Sequence, residues 1–118
     1  MNRVQLVGRT TKNISIEKTN DSVYAKFTLA INEGKDRNGN ERATFVPVTA
    51  WGKVAEGLVK YVGKGSLVAV EGRISASHKN EKMYIGVVAT RVEYLATKKP
   101  GETTAVKEHA FAEEDIQF

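Results

Sequence analysis

The chain has 118 residues, 41% of them hydrophobic and 27% charged, with no cysteine and a formal net charge of +4. That is room for one domain of ordinary size and a modest extension, and it excludes a disulfide framework, a thiolate metal site and a thiol nucleophile. No apolar run approaches the roughly 18 residues of a membrane-spanning helix, and the opening MNRVQLVGR lacks the order of a secretory signal, so a cytoplasmic protein with no membrane partner is expected.

Up to Leu95 the hydrophobic pattern repeats mostly every two residues, which argues strands. From Arg3 to Thr11, Val4 and Leu6 alternate with Arg3 and Gln5, and Ile14 and Ile16 resume the alternation after a bend at Lys12-Asn13. Ser22 to Asn32 is the clearest strand, with Val23, Ala25, Phe27, Leu29 and Ile31 on one face and Tyr24, Lys26, Thr28 and Asn32 on the other. The polar stretch from Glu33 to Arg42 contains Asn38-Gly39, a strong turn signal, and a third strand follows from Ala43 to Trp51. The period then changes: Val54, Leu58, Tyr61 and Val62 form one stripe of a short helix, stopped by Gly63 and Gly65. Leu67 to Ser77 and Lys82 to Leu95 read as two more strands joined by the polar turn HKNEK.

Three strands, one helix and two strands is the order of an OB-fold, an all-β barrel of five strands with a short helix between strands three and four. Residues 1–95 form that domain, 96–112 read as a flexible linker, and 113–118 as an acidic tip. Charge divides in the same way. Residues 1–95 carry 15 Lys/Arg against 9 Asp/Glu, and residues 96–118 carry 3 against 5. A basic body with an acidic end suits a domain that binds a polyanion and a tail that avoids it, although an unpatterned solvated surface would give similar counts.

Alternation along the third strand turns Val46, Val48 and Ala50 inward and leaves Phe45 and Trp51 together on the outer face, about 20 Å apart at roughly 3.3 Å per residue. Large rings outside a small barrel suit base stacking, which is indifferent to base identity; burial against a second subunit or under a loop is the other reading. Arg3, Lys35, Arg37, Arg42, Lys53, Lys64, Arg73, Lys79 and Lys82 disperse positive charge over strand ends and loops, as a phosphate chain crossing a sheet requires. At the end of the chain Glu113, Glu114 and Asp115 precede Ile116, Gln117 and Phe118. Such a peptide can dock in a pocket ringed with basic residues, or it can be a frayed terminus. Little points to catalysis. His78 and His109 have no nucleophilic or acidic partner at a useful spacing. Gly63-Lys64-Gly65-Ser66 fails the phosphate-loop pattern, because Leu58 stands where its first glycine belongs. The carboxylates of Glu56, Glu71 and Glu93 are too scattered for a metal site.

Three segments, NRVQLVGR at Asn2–Arg9, FTLAIN at Phe27–Asn32 and TFVPVTAWGKVAEGLVKYVGKGSLVAVEGR at Thr44–Arg73, resemble the bacterial and phage single-stranded-DNA-binding protein family. The likeness covers residues 1–95 and returns at the last six. The last segment is the most specific, combining the AWGK turn into the helix, the KGS exit and the VEGR strand. The resemblance implies an OB-fold that binds single-stranded DNA without sequence preference during replication, recombination and repair, with no enzymatic activity and no cofactor or metal. It implies a homotetramer, a dimer being the alternative. Phe45 and Trp51 match the family's stacking positions, and Lys53, Lys64 and Arg3 match its basic ones; Lys35, Arg73 and Lys79 are expected as further phosphate contacts on their charge and placement alone. The tip Glu113, Glu114, Asp115, Ile116 and Phe118 matches the family's segment for docking replication, recombination and repair proteins. The sequence also departs from the family. Lys35 stands where a loop aromatic is frequent, and His78 or Lys79 stands where a hairpin aromatic is frequent. Pro47 replaces a polar or basic residue, and Gln117 replaces the proline of the tip. Fewer rings imply binding that leans more on charge.

Overall fold

Period-two patterning becomes six strands in the computed structural model, which describes residues 1–100. In chain order these are β1 (Val4–Thr10), β2 (Ile16–Lys18), β3 (Val23–Lys35) and β4 (Glu41–Trp51), then the helix α1 (Gly52–Tyr61), then β5 (Leu67–Lys79) and β6 (Lys82–Ala96). The sheet runs β1-β5-β6-β4-β3-β2, and a further pairing of β1 with β3 closes it into a barrel. β1 and β2 are two halves of one bent strand. Both run antiparallel to β3, at Arg9↔Ala30 and Ile16↔Ala25, with the register advanced by two residues across the bend. Counted so, there are five strands with the helix between the third and fourth, which is the OB-fold expected from the sequence. The expected linker beyond residue 100 and the tip Glu113–Phe118 lie outside the described residues.

The barrel interior takes one face of each strand. Ala25, Phe27 and Leu29 of β3, Val48 and Ala50 of β4, Val68 and Val70 of β5, and Val87 and Ala89 of β6 are buried, with Ile14 beside them. Val23 is half-buried, and Ile31 and Val46 pack against this core from its margin. Closure needs Gly8 on β1: a Cβ there would lie 2.5 Å from the Ala30 carbonyl oxygen and 2.9 Å from Leu29 Cγ. Only a residue without a side chain lets β1 and β3 approach this closely.

The helix plugs one end of the barrel with Ala55 and Leu58, followed by buried Val62. The sequence pattern places Tyr61 on this stripe; the structure corrects that, because Tyr61 is exposed. Ala55, Leu58 and Val62 recur at i, i+3 and i+7, which completes the buried face and leaves Tyr61 one residue step, about 100°, to the side. Its ring instead meets Tyr94 of β6, with centroids 6.2 Å apart. The exit from the helix is latched by buried Thr10. The Thr10 hydroxyl donates to the Gly63 carbonyl at 2.8 Å, and the Gly65 amide donates to the Thr10 carbonyl at 2.9 Å. The Thr10 amide in turn donates to the Ser66 carbonyl at 2.9 Å. Past β6 the chain stays against this segment, as the Gly63 amide donates to the Lys98 carbonyl and the Lys98 amide to Ser66 Oγ. Buried polar groups are thus paired, which is the physical content of the KGS stretch.

Both long hairpins reach further than the composition suggested. β3 and β4 extend into the polar stretch until Lys35 pairs with Glu41. The remaining turn is held by Asp36, whose Oδ1 accepts from the amides of Asn38 and Asn40 at 2.9 Å. In the β5–β6 hairpin pairing continues to Lys79↔Lys82. The expected five-residue turn shrinks to Asn80 and Glu81, both at positive φ (54° and 66°) as a tight two-residue turn requires. Polar residues looked like loop in both places because ribbons projecting from a barrel are solvated on both faces.

Candidate nucleic-acid interface

Strand parity fixes the outer face of β4. Phe45, Pro47, Thr49 and Trp51 project from it while Val48 and Ala50 are sealed inside. Phe45 is 38% exposed and Trp51 46% exposed, so both rings can be reached by a ligand. Across the antiparallel ladder lie Ala30 opposite Phe45, Thr28 opposite Pro47, Lys26 opposite Thr49 and Tyr24 opposite Trp51. The outer face is therefore two parallel rows, aromatic at one end, hydroxyl-bearing and cationic in the middle, and aromatic again at the far end of β4. Trp51 ends the strand in extended conformation, and Gly52, at φ +60°, turns the chain into α1. Lys53 follows on the first turn of the helix, exposed.

A groove of about 660 Å³ opens beside these rows. Along it β4 pairs with β6 only at Val48↔Val87, Thr49↔Val88 and Ala50↔Ala89. Pro47, one residue before that pairing, has no N–H to donate to a ladder and still lies against Gly86 of β6, where a Cβ would come 3.2 Å from the Pro47 carbonyl oxygen. Thr49, Thr28 and Lys26 lie along the floor, Met83, Tyr84 and Ile85 of the β5–β6 hairpin form one wall, and Thr11, Lys12 and Asn13 from the bend between β1 and β2 contribute the other. Lys64 is tied to this rim through its backbone, whose amide donates to Asn13 Oδ1 at 2.9 Å.

The residues singled out from sequence are thus partly gathered. Phe45, Trp51 and Lys53 share or adjoin one face, and Lys64 is joined to the groove's rim through its backbone amide. The others stand apart from it. Lys35 and Lys79 occupy the tips of the two hairpins, and Arg73 is exposed on β5 opposite Val88. Arg3 lies by β5, its guanidinium 3.9 Å from the Glu71 carboxylate. Lys12, Lys26 and Tyr84 line the groove and Tyr24 lies against Trp51, although the sequence alone does not single them out. Parity had already placed Tyr24 and Lys26 on the outer face, and that was the available signal. Among the described residues no group of three His, Cys, Asp or Glu is placed to hold a metal ion, and no helix is long and apolar enough to cross a membrane.

Comparison with known proteins bears on the family and the fold. The model of the Single-strand binding protein family matches residues 1–100. Single-stranded DNA-binding protein 1 of Clostridium acetobutylicum is 41% identical over 107 residues, spanning 84% of this chain and 97% of that protein. Single-stranded DNA-binding protein 3 of Listeria innocua is 37% identical over 108 residues, spanning 86% and 68%. Among solved structures, a crystal structure of a deletion mutant of the single-stranded DNA binding protein from Thermus aquaticus superposes with a TM-score of 0.67 at 25% identity. It covers 86% of this chain, which in turn spans 44% of that longer one.

Proposed function

The chain belongs to the single-strand binding protein family, and from that premise we propose that it coats single-stranded DNA without sequence preference and without chemistry. One observation carries the reading: two reachable rings, Phe45 and Trp51, share the outer face of one strand beside a groove furnished with lysines and hydroxyls. Stacking on flat side chains accepts any base, and ammonium groups neutralise the phosphates between stacked bases. In this reading Phe45 and Trp51 stack, Lys53 and Lys64 hold the backbone near them, and Arg3, Lys35, Arg73 and Lys79 hold it further out. A duplex keeps its bases paired and stacked inside, so it offers these rings nothing comparable.

The wider role follows from the same reading. The protein protects single strands during replication, recombination and repair in the cytoplasm, and Glu113, Glu114, Asp115, Ile116 and Phe118 recruit the enzymes involved. Assembly as a homotetramer, or a dimer, is supported by the exposed apolar side chains Val7 and Ile74, which lie outside the groove; light scattering of the free protein reads the state. The central test uses Trp51, the sole tryptophan. Oligo-dT should quench its fluorescence at stoichiometric ratios, and duplex of equal length should quench it far less. Equal quenching by both would remove the single-strand claim. Removing residues 116–118 should leave oligo-dT affinity intact and abolish capture of a partner enzyme; retained capture would remove the tip's role.

A further inference from the structure

Trp51 does not stand alone on its face. The β3–β4 register sets Tyr24 directly opposite it, and the two ring centroids are 5.0 Å apart with planes inclined by 38°. Lys26, two residues on along the same face, holds its ammonium 5.8 Å from the centre of the Tyr24 ring. The three side chains form a row of ammonium, phenol and indole. Tyr24 is half-buried while Trp51 remains 46% exposed, so the phenol is the better anchored of the two rings. Behind Trp51 the chain turns away at Gly52, which has no side chain to lean against.

We propose that Tyr24 is a positioning residue for single-strand binding: it backs one side of the indole and presents the other to a base. This inference rests on the stacking role assigned to Trp51 under Proposed function. A tryptophan on an open strand end samples several staggered rotamers, and a ligand must select one of them before it can stack. Contact with a neighbouring ring at this distance and tilt is favourable and selects a rotamer in advance, so less freedom is lost on binding. Lys26 extends the same row by holding a cation against the phenol.

The test compares the full-length chain with Tyr24→Ala, Tyr24→Leu, Tyr24→Phe, Trp51→Ala and the double variant Tyr24→Ala/Trp51→Ala. Affinity is read by the anisotropy of dye-labelled oligo-dT, and the mobility of Trp51 by its own anisotropy without DNA. Tyr24→Ala should weaken binding roughly two- to tenfold and lower the Trp51 anisotropy. Tyr24→Leu, which keeps apolar bulk without a plate, should do the same, so the inference stays testable if the alanine variant folds poorly. Tyr24→Phe should match the parent in both readings. In the Trp51→Ala background, Tyr24→Ala should cost nothing further. Additive losses in the double variant would mean that Tyr24 acts independently of Trp51 and would overturn the inference. So would binding that depends on Trp51 but not on Tyr24, and that outcome leaves the stacking reading standing. Absence of any oligo-dT binding by the parent would overturn both.

Discussion

Phe45 and Trp51 sit at opposite ends of one face, and removing either should act on a different quantity from removing a nearby charge. A stacked base is held by contact area and ring polarisation, which salt barely screens, whereas a lysine on a phosphate acts through released counterions. Phe45→Ala and Trp51→Ala should each weaken oligo-dT binding by about 1–3 kcal/mol at every salt concentration. Lys53→Ala should instead flatten the plot of log affinity against log salt by roughly 0.7. Titrations at four salt concentrations separate the two. A changed slope for the aromatic variants, or an unchanged one for Lys53→Ala, would contradict the division of labour. The pairing of Phe45 with Trp51 was legible in the sequence, since parity alone fixes which way a strand residue points. The partnership of Tyr24 with Trp51 was not. It depends on register between strands, and an irregularity in the β3–β4 ladder between Asn32 and Lys35 shifts that register in a way no residue pattern announces.

Elements were legible in kind and order, because a change of period from two to about 3.6 marks the one helix among the strands. Their surfaces were less so. Around α1 the apolar residues Val54, Ala55, Leu58, Val59, Tyr61 and Val62 support two overlapping stripes, and packing against the barrel chooses the one that leaves Tyr61 out. The consequence is a tyrosine pair bridging α1 and β6. Burial, and then the charge that Tyr61 would carry, hold the Tyr94 phenol above the usual tyrosine range. The folded state therefore favours the neutral phenol. Its contribution to stability is whole below about pH 10, the ordinary tyrosine value, and is lost as pH rises through the raised one. Absorbance titration near 295 nm should show a component, from Tyr94, that ionises above the ordinary tyrosine value. Tyr94→Phe should delete that late component and reduce the loss of thermal stability above pH 10. Absence of a late component that Tyr94→Phe removes would refute this. The groove belongs to the same scale of explanation: β4 pairs with β6 over only three residues, and neither strand's sequence states where that pairing begins or ends.

For the whole molecule, the barrel is the fixed part and the two hairpins are its reach. The hairpins carry Lys35 and Lys79 at their tips, where the resemblance to the family leads one to expect rings. A strand stacked on Phe45 and Trp51 that continues past either tip meets an ammonium group there in place of a plate. Its affinity should then rest more on counterion release than it would with aromatic tips. Replacing Lys35 and Lys79 together with alanine should reduce the salt slope for a long oligo-dT by roughly 0.7 per lysine, with little loss at high salt, where released counterions contribute least. Replacing them with tryptophan should lower the slope by the same amount and raise affinity at high salt, since each new ring can add about 1–3 kcal/mol of stacking. A short oligo-dT that spans only Phe45 to Trp51 should be indifferent to all of these changes. That contrast in length separates a tip effect from a general loss of positive charge. A slope that stays the same for the long oligonucleotide would mean that the strand never reaches the hairpins, and its path would then be confined to the face of β4 and the groove beside it.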